Sequence, residues 1–226
     1  MFYYFGAKHA NARRYQPPKH DVIVEPFAGA AGYACYWLEK GAAKEAILVE
    51  KDPHIVEQWA MILSLSPAEI MGLPPPTPGD LISDVPWGGL GASSPYRPSV
   101  SSRASRDFVS ARRRVAALAG SIGDRIKIIP GDYRDAPDLE ATWFIDPPYQ
   151  HQGYQYDYGS GSIDYTELAA WSQSRKGQVI VCEASPANWL PFRPFYLHAS
   201  TANTFDTELV WESDPTPNLF DEDVDV

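Results

Sequence analysis

Apolar residues along this chain fall into short continuous runs, separated by turns and by stretches with helical spacing. Residues 21–27 (DVIVEPF) form an apolar run closed by a proline and a small-residue turn, which predicts a buried strand. The turn at 28–32 (AGAAG) leads into YACYWLEKG, where Tyr33, Tyr36 and Trp37 recur at helical spacing and Gly41 stands where the helix should end. AILVE at 46–50 predicts a second buried strand. DPHIVEQWAMILSL at 52–65 predicts a helix with Asp52 as its N-cap and Pro53 as its first residue. Strand, glycine turn, helix and strand in that order make the right-handed βαβ unit of a parallel sheet.

The pattern breaks at 66–105. PPPTPG, GGLGASS and SVSSRASR are rich in proline, glycine and serine, which predicts an irregular insertion and no core element. Phe108, Val109, Val115, Ala116 and Leu118 then predict a helix over about 106–120. Regular strands resume with RIKII (125–129), TWFI (142–145), QVIVCE (178–183) and TELVW (207–211), and a helix at 165–174 (YTELAAWSQS) links two of them. The expected fold is α/β: a Rossmann-like, mostly parallel, doubly wound sheet with one irregular and helical insertion. Residues 1–65 and 125–212 make up the main domain, 66–124 the insertion, and 213–226 an acidic tail expected to be disordered.

Composition narrows the picture. At 226 residues and 44% hydrophobic, the chain suits one such domain with a full core. No run approaches the ~20 apolar residues of a membrane helix. The N-terminus also lacks the apolar region of a signal peptide, so a cytoplasmic protein with no membrane partner is expected. Cys35 and Cys182 lie in a helical and a strand run and read as buried thiols; the histidines show no metal-ligand spacing, and no metal is expected. The net charge of −10 counts against nucleic acid as a partner, but the distribution of charge does not. Lys8, Arg13, Arg14 and Lys19 stand without an acid in residues 1–20. Residues 97–127 hold Arg97, Arg103, Arg106, Arg112, Arg113, Arg114, Arg125 and Lys127 against Asp107 and Asp124. If this segment lies on a duplex, Arg103, Arg106, Arg112, Arg113 and Arg114 are the candidate phosphate contacts, although three consecutive helical arginines point about 100° apart and cannot all face it.

Candidate chemistry sits where strands end, because ligands of an open parallel sheet bind beyond its carboxyl ends. The first strand runs into Glu25-Pro26-Phe27-Ala28-Gly29-Ala30-Ala31-Gly32, whose small residues let a ligand approach the backbone and a helix N-terminus. Glu50, at the end of the second strand, can accept from both hydroxyls of a ribose. Asp132, in Gly131-Asp132-Tyr133, can accept from an adenine amine. Taken singly, the turn also fits a dinucleotide enzyme or plain packing, and Glu50 a solvated loop acid. Together the strand ends point to an adenosine-containing cofactor.

Asp146-Pro147-Pro148-Tyr149 follows the strand TWFI. The exocyclic nitrogen of a nucleobase is a poor nucleophile because its lone pair is delocalised into the ring. Two acceptors that hold its hydrogens can draw it toward tetrahedral geometry, and the Asp146 carboxylate and Pro147 carbonyl are such a pair. The prolines fix the backbone and add no donor. Tyr149 can stack on a base turned out of its duplex. An Asp-Pro pair is also ordinary turn chemistry. Average usage produces this tetrapeptide by chance in about one chain of this length in a thousand, which favours the chemical reading.

In these motifs the chain resembles the DNA adenine-N6 methyltransferases, in the group whose N-terminal cofactor segment comes first. Phe5-Gly6-Ala7-Lys8 resembles the opening glycine-lysine segment, VEPFAGAAGYA the cofactor loop, LVEKD the ribose-binding strand end, GDY the adenine-binding segment and DPPY the catalytic motif. The resemblance spans about residues 2–212, with 66–124 matching the recognition insertion in position only. It implies transfer of a methyl group from S-adenosyl-L-methionine to N6 of a flipped-out adenine in double-stranded DNA, at a specific site, by an expected monomer. It also implies that Phe5, Gly6, Lys8, Glu25, Pro26, Phe27, Ala28, Gly29, Gly32, Glu50, Asp132, Tyr133 and Asp146 hold the cofactor, and that Asp146, Pro147, Pro148 and Tyr149 are catalytic. The chain departs from the usual Phe-x-Gly-x-Gly loop in carrying Ala31 at the second glycine. Same-fold enzymes acting on RNA adenine, cytosine N4 or protein glutamine stay open, as does a non-catalytic nucleic-acid-binding relative. The tyrosine- and glycine-rich stretch 151–162 (HQGYQYDYGSGS) fits a loop closing over a base, with Tyr154, Tyr156 and Tyr158 either stacking or packing on the surface.

Overall fold

The computed structural model describes residues 11–73, 104–153, 158–199 and 205–214, with the backbone alone at 104–111, 198–199 and 205–206. Phe5, Gly6, Ala7, Lys8, Arg103, Tyr154, Tyr156, the proline- and serine-rich part of the insertion and the end of the acidic tail lie outside the described residues, as do the expectations placed on them.

Side chains along a strand alternate between faces, and here both faces are apolar, so the strands read as continuous hydrophobic runs. They are β1 (Val22–Glu25), β2 (Glu45–Glu50), β3 (Ile126–Pro130), β4 (Glu140–Ile145), β5 (Lys176–Ala184), β6 (Arg193–Ala199) and β7 (Phe205–Glu212). They form one sheet in the order β3-β2-β1-β4-β5-β7-β6. The pairs β3–β2, β2–β1, β1–β4 and β4–β5 are parallel, and β7 runs antiparallel to both β5 and β6. This is a Rossmann-like, mostly parallel doubly wound sheet, and it places the reversal of strand order between β1 and β4.

Five helices accompany the strands among the described residues: α1 (Gly32–Glu39), α2 (Pro53–Ser64), α3 (Pro67–Gly72), α4 (Ala104–Ile122) and α5 (Tyr165–Gln173). The helices α1 to α4 cover one face of the sheet, where Tyr33, Trp59, Ile70 and Val115 join Ile23, Leu48, Phe144 and Ile180. The other face carries α5, with Leu168 and Ala169 against Val24, Trp143 and Val181. Trp143 and Phe144 thus bury in opposite layers, and each such side chain contributes about 1.5–3 kcal/mol. Both cysteines are buried and in no disulfide, Cys35 in α1 and Cys182 in β5.

Local chemistry sets the helix ends. Asp52 accepts from the His54 N–H at 2.9 Å and caps α2, with Pro53 next, as expected. The N–H groups of Gly41 and Ala42 bond to the carbonyls of Leu38 and Trp37, and the left-handed Gly41 (φ +69°) ends α1 in a Schellman motif. Two expectations need correction. The stretch after residue 65 is not irregular throughout, because a capping box between Ser66 and Glu69 starts α3 there. The strand β6 was not expected; it is an edge strand, where Pro194 is tolerated. The C-terminal half of α4 shares the main core through Val115, Ala116, Leu118 and Ile122. Its Gly120 lies so close to α3 that an added Cβ would stand 2.8 Å from Pro67 Cγ. No described helix is long and apolar enough to cross a membrane.

The alignment of β4 with β5 depends on Gly177, paired with Ala141 and held at φ +100°. A Cβ there would run into the Ala141 carbonyl oxygen. Gly177→Ala should therefore lower the unfolding free energy by roughly 2 kcal/mol or more in urea titrations. A loss under about 0.5 kcal/mol would contradict this constraint on the β4–β5 register.

Candidate active site

The first loop of the site is shaped by two buried carboxylates. Ala31, the N-cap of α1, has no side chain to offer the helix's first N–H groups. Glu25, at the end of β1, does this instead: its Oε1 accepts from the Ala34 N–H at 2.6 Å and meets one of the helix's unpaired N–H groups. Ala31 adopts φ +47°, ψ +52°, a left-handed conformation that favours glycine, at a strain of about 1 kcal/mol or more. Gly29 has φ +46°, and the side chains of Ala28, Ala30 and Ala31 are buried, so the turn presents little but backbone.

Glu50 closes the loop from β2. Its Oε2 accepts from the Gly29 N–H and its Oε1 from the Asp52 N–H, both at 2.8 Å. The Trp59 indole N–H donates to the Gly29 carbonyl at 2.8 Å and holds the same glycine from α2. At 9% exposure, burial raises the Glu50 pKa, opposed by these backbone N–H groups.

Beyond β3, Asp132 forms ion pairs with Lys51 at 3.0 Å and Arg134 at 2.6 Å, and Arg134 also reaches Glu167 at 2.6 Å. Burial pushes the Asp132 carboxyl up, but the bond from Lys51 and the charges of Lys51 and Arg134 outweigh it and hold the pKa below the usual range. Tyr133 is buried and stacks on Phe27, with ring centroids 5.3 Å apart. Its hydroxyl is buried with no hydrogen-bond partner among the described residues.

Asp146 follows β4 directly across the switch point from Glu25. The loop it opens is fixed by side chains that the sequence reading did not single out. The Tyr165 hydroxyl, on α5, donates to the Pro148 carbonyl at 2.5 Å. Glu183, on β5, accepts from the Gln150 N–H at 2.7 Å. Glu208, on β7, accepts from the Tyr149 hydroxyl at 2.7 Å. The N–H groups of Gln152 and Gly153 turn back to the Tyr149 carbonyl at 3.1 and 2.6 Å. The Tyr149 ring packs partly against the core, so this residue anchors the loop as well as lining it. The Pro147 carbonyl accepts no hydrogen bond among the described residues.

Glu25 and Glu183 are both pushed up to about 8, first by burial and then by the Asp146 charge, against the single backbone N–H each accepts. The structure thus brings Glu25, Pro26, Phe27, Ala28, Gly29, Gly32, Glu50, Asp132, Tyr133 and the Asp146–Tyr149 loop to the carboxyl edge of one sheet. It adds Tyr165, Glu183 and Glu208 beneath them. Of the candidate arginines, Arg112 donates to the Met71 carbonyl at 2.8 Å and holds the end of α3. Arg113 and Arg114 are exposed, and the Arg106 side chain is not described.

No family model and no curated protein matches the chain. Similar solved structures include an uncharacterized protein from Listeria monocytogenes serotype 4b, at 12% identity and TM-score 0.43 over 95% of this chain and 70% of that one. Another is a SAM-dependent methyltransferase from Neisseria gonorrhoeae, at 13% identity and TM-score 0.39 over 92% and 73%. These likenesses assign no chemistry.

The two raised carboxyls carry a pH signature. Each binds its proton more tightly folded than unfolded, so its stabilising contribution is full below the ordinary carboxylate pKa and is lost as pH rises toward about 8. Each should contribute a decline of up to about 1.4 kcal/mol per pH unit across that window. Glu25→Gln and Glu183→Gln should each flatten the fall in unfolding free energy between pH 5 and pH 8, measured in urea. Variants with the wild-type slope would contradict the burial of these groups as acids.

Proposed function

We propose that the chain is a methyltransferase that uses S-adenosyl-L-methionine to methylate N6 of adenine in DNA. The observation that carries this reading is the Asp146–Tyr149 loop. It leaves β4 at the switch point with a carboxylate followed by a carbonyl that accepts no hydrogen bond among the described residues, beside the small-residue turn after β1.

The residues present fit the cofactor. Each Glu50 oxygen accepts one backbone N–H and keeps a second lone pair, which suits a pair of ribose hydroxyls. The backbone-lined turn at 28–31 admits a ligand that bulkier side chains would exclude. Phe27, Asp132 and Tyr133 would hold the adenine, with the Asp132 carboxylate kept ionised by Lys51 and Arg134. When bound, the cofactor supplies an electrophilic methyl group on a sulfonium.

The chain's own residues prepare the amine. Asp146 and the Pro147 carbonyl accept its two hydrogens and turn its lone pair out of the ring. The lone pair would take the methyl as its bond to the sulfonium sulfur breaks, leaving a neutral thioether, and Asp146 would accept the proton that the nitrogen then sheds. Tyr165 and Glu183 hold the loop so that these two acceptors stay aligned. The target base must leave its duplex to reach this depth. The exposed Arg113 and Arg114 are then candidate phosphate contacts on a chain of net charge −10.

Binding and chemistry should separate by mutation. Glu50→Ala should weaken S-adenosylmethionine binding in calorimetry by about 1.5–3 kcal/mol, the scale of a lost bond to a charged group. Asp146→Ala should leave that affinity within a few-fold and abolish transfer of labelled methyl to DNA. Labelled RNA or protein in place of DNA would redirect the substrate. Near wild-type turnover in Asp146→Ala would refute the assignment.

A further inference from the structure

We propose that Glu208 is a positioning residue that ties the Asp146–Tyr149 loop to the N-terminal segment, so that the two are fixed as one unit. Its catalytic consequence rests on the methyl-transfer reading above; the coupling itself does not.

Glu208 lies in the middle of β7, with Ala184 of β5 and Tyr196 of β6 as its register partners, and is 2% exposed. A carboxylate at such a place costs several kcal/mol of desolvation unless donors meet it. Two phenols donate to one of its oxygens: Tyr149 at 2.7 Å and Tyr15 at 2.8 Å, both to Oε1. Tyr149 is the last residue of the candidate catalytic motif. Tyr15 follows the Ala12–Arg14 turn, in the segment that leads in from the N-terminal Phe5–Lys8 motif.

Tyr15 is itself 2% exposed, and its ring is gripped by Phe144 at 5.0 Å, edge on, and by Phe195 at 4.7 Å. Phe144 is the penultimate residue of β4, two before Asp146. The segment continues to the far end of the sheet, where the Lys19 N–H donates to Gln178 Oε1 at 2.9 Å and Thr142 Oγ1 at 3.1 Å. It is therefore fastened at both ends of β4, and near Asp146 the polar fastening passes through Glu208. An apolar residue at 208 could pack as well, but it could not hold two hydroxyls from distant segments in one geometry. Removal of either phenol takes one of these hydrogen bonds from a buried carboxyl, and the remaining partner shifts with it.

The coupling is reciprocal, which gives the test. Hydrogen exchange in the full chain should show that Tyr15→Phe speeds exchange of the amides in 146–153 by roughly tenfold. Tyr149→Phe should do the same for residues 11–20. The double variant should be little worse than the worse single, because one bridge is cut in each case. In methyl transfer to DNA, Tyr15→Phe should lower kcat about tenfold, with KM for S-adenosylmethionine within threefold, since Tyr15 adjusts the loop and not cofactor contact. Exchange changes confined to each variant's own segment, or wild-type kcat in Tyr15→Phe, would overturn the proposal. A wild-type chain with no transfer to any substrate would overturn the methyl-transfer reading instead and leave the exchange data to decide the coupling.

Discussion

A carboxylate buried at the end of a parallel strand must find N–H donors, and the donors within reach are those of the connections at the carboxyl edge, after its own strand or after the neighbouring one. Glu25 takes the N–H of Ala34, Glu50 those of Gly29 and Asp52, and Glu183 that of Gln150. Each bond draws a connection back over the carboxyl edge of the sheet. The rest of the site is organised by this requirement. The small-residue turn is tight because two acids hold its two sides, and α1 begins without a capping side chain because Glu25 supplies the acceptor.

The same constraint sets the electrostatics. Acids at the ends of β1 and β5 surround Asp146, and none of the groups that perturb Glu25 or Glu183 is a cation. The cations Lys51 and Arg134 gather instead around Asp132, at the other side of the site. One carboxylate is thereby held ionised at the place proposed for the adenine of the cofactor, while a proton-rich cluster lies under the place proposed for the target amine. The loop between them is fixed at Pro148, Tyr149 and Gln150 by hydrogen bonds from α5, β5 and β7, next to the two acceptors proposed for the target amine.

Most of this edge was legible in the sequence, because strand ends in a parallel sheet fall together once the strands are found. β1, β2, β4 and β5 are long apolar runs with abrupt ends, and the acids that close them stand out by contrast. The strand β6 was missed because Arg193-Pro194 opens it and an edge strand needs no continuous apolar pattern. The helix α3 was missed within a proline- and glycine-rich stretch, although Ser66-Pro67-Ala68-Glu69 carries a capping-box signature. Tyr15, Glu183 and Glu208 were missed for a different reason. A charged residue inside an apolar strand, as in VIVCEA or TELVW, announces a buried partner but not its identity. Glu208 meets Tyr15 and Tyr149 only because β7 inserts between β5 and β6. Ala31 shows the converse: its place in the motif was visible, but its left-handed backbone was not.

The central claim is that Asp146 and its loop act on the exocyclic amine of adenine in DNA. Mass spectrometry of nucleosides from the DNA of cells expressing the chain, beside cells expressing Asp146→Ala, tests it most directly. The account predicts N6-methyladenine above the host background with the wild-type chain and only background with the variant. Methylation at cytosine N4, or equal N6-methyladenine in both cultures, would contradict it.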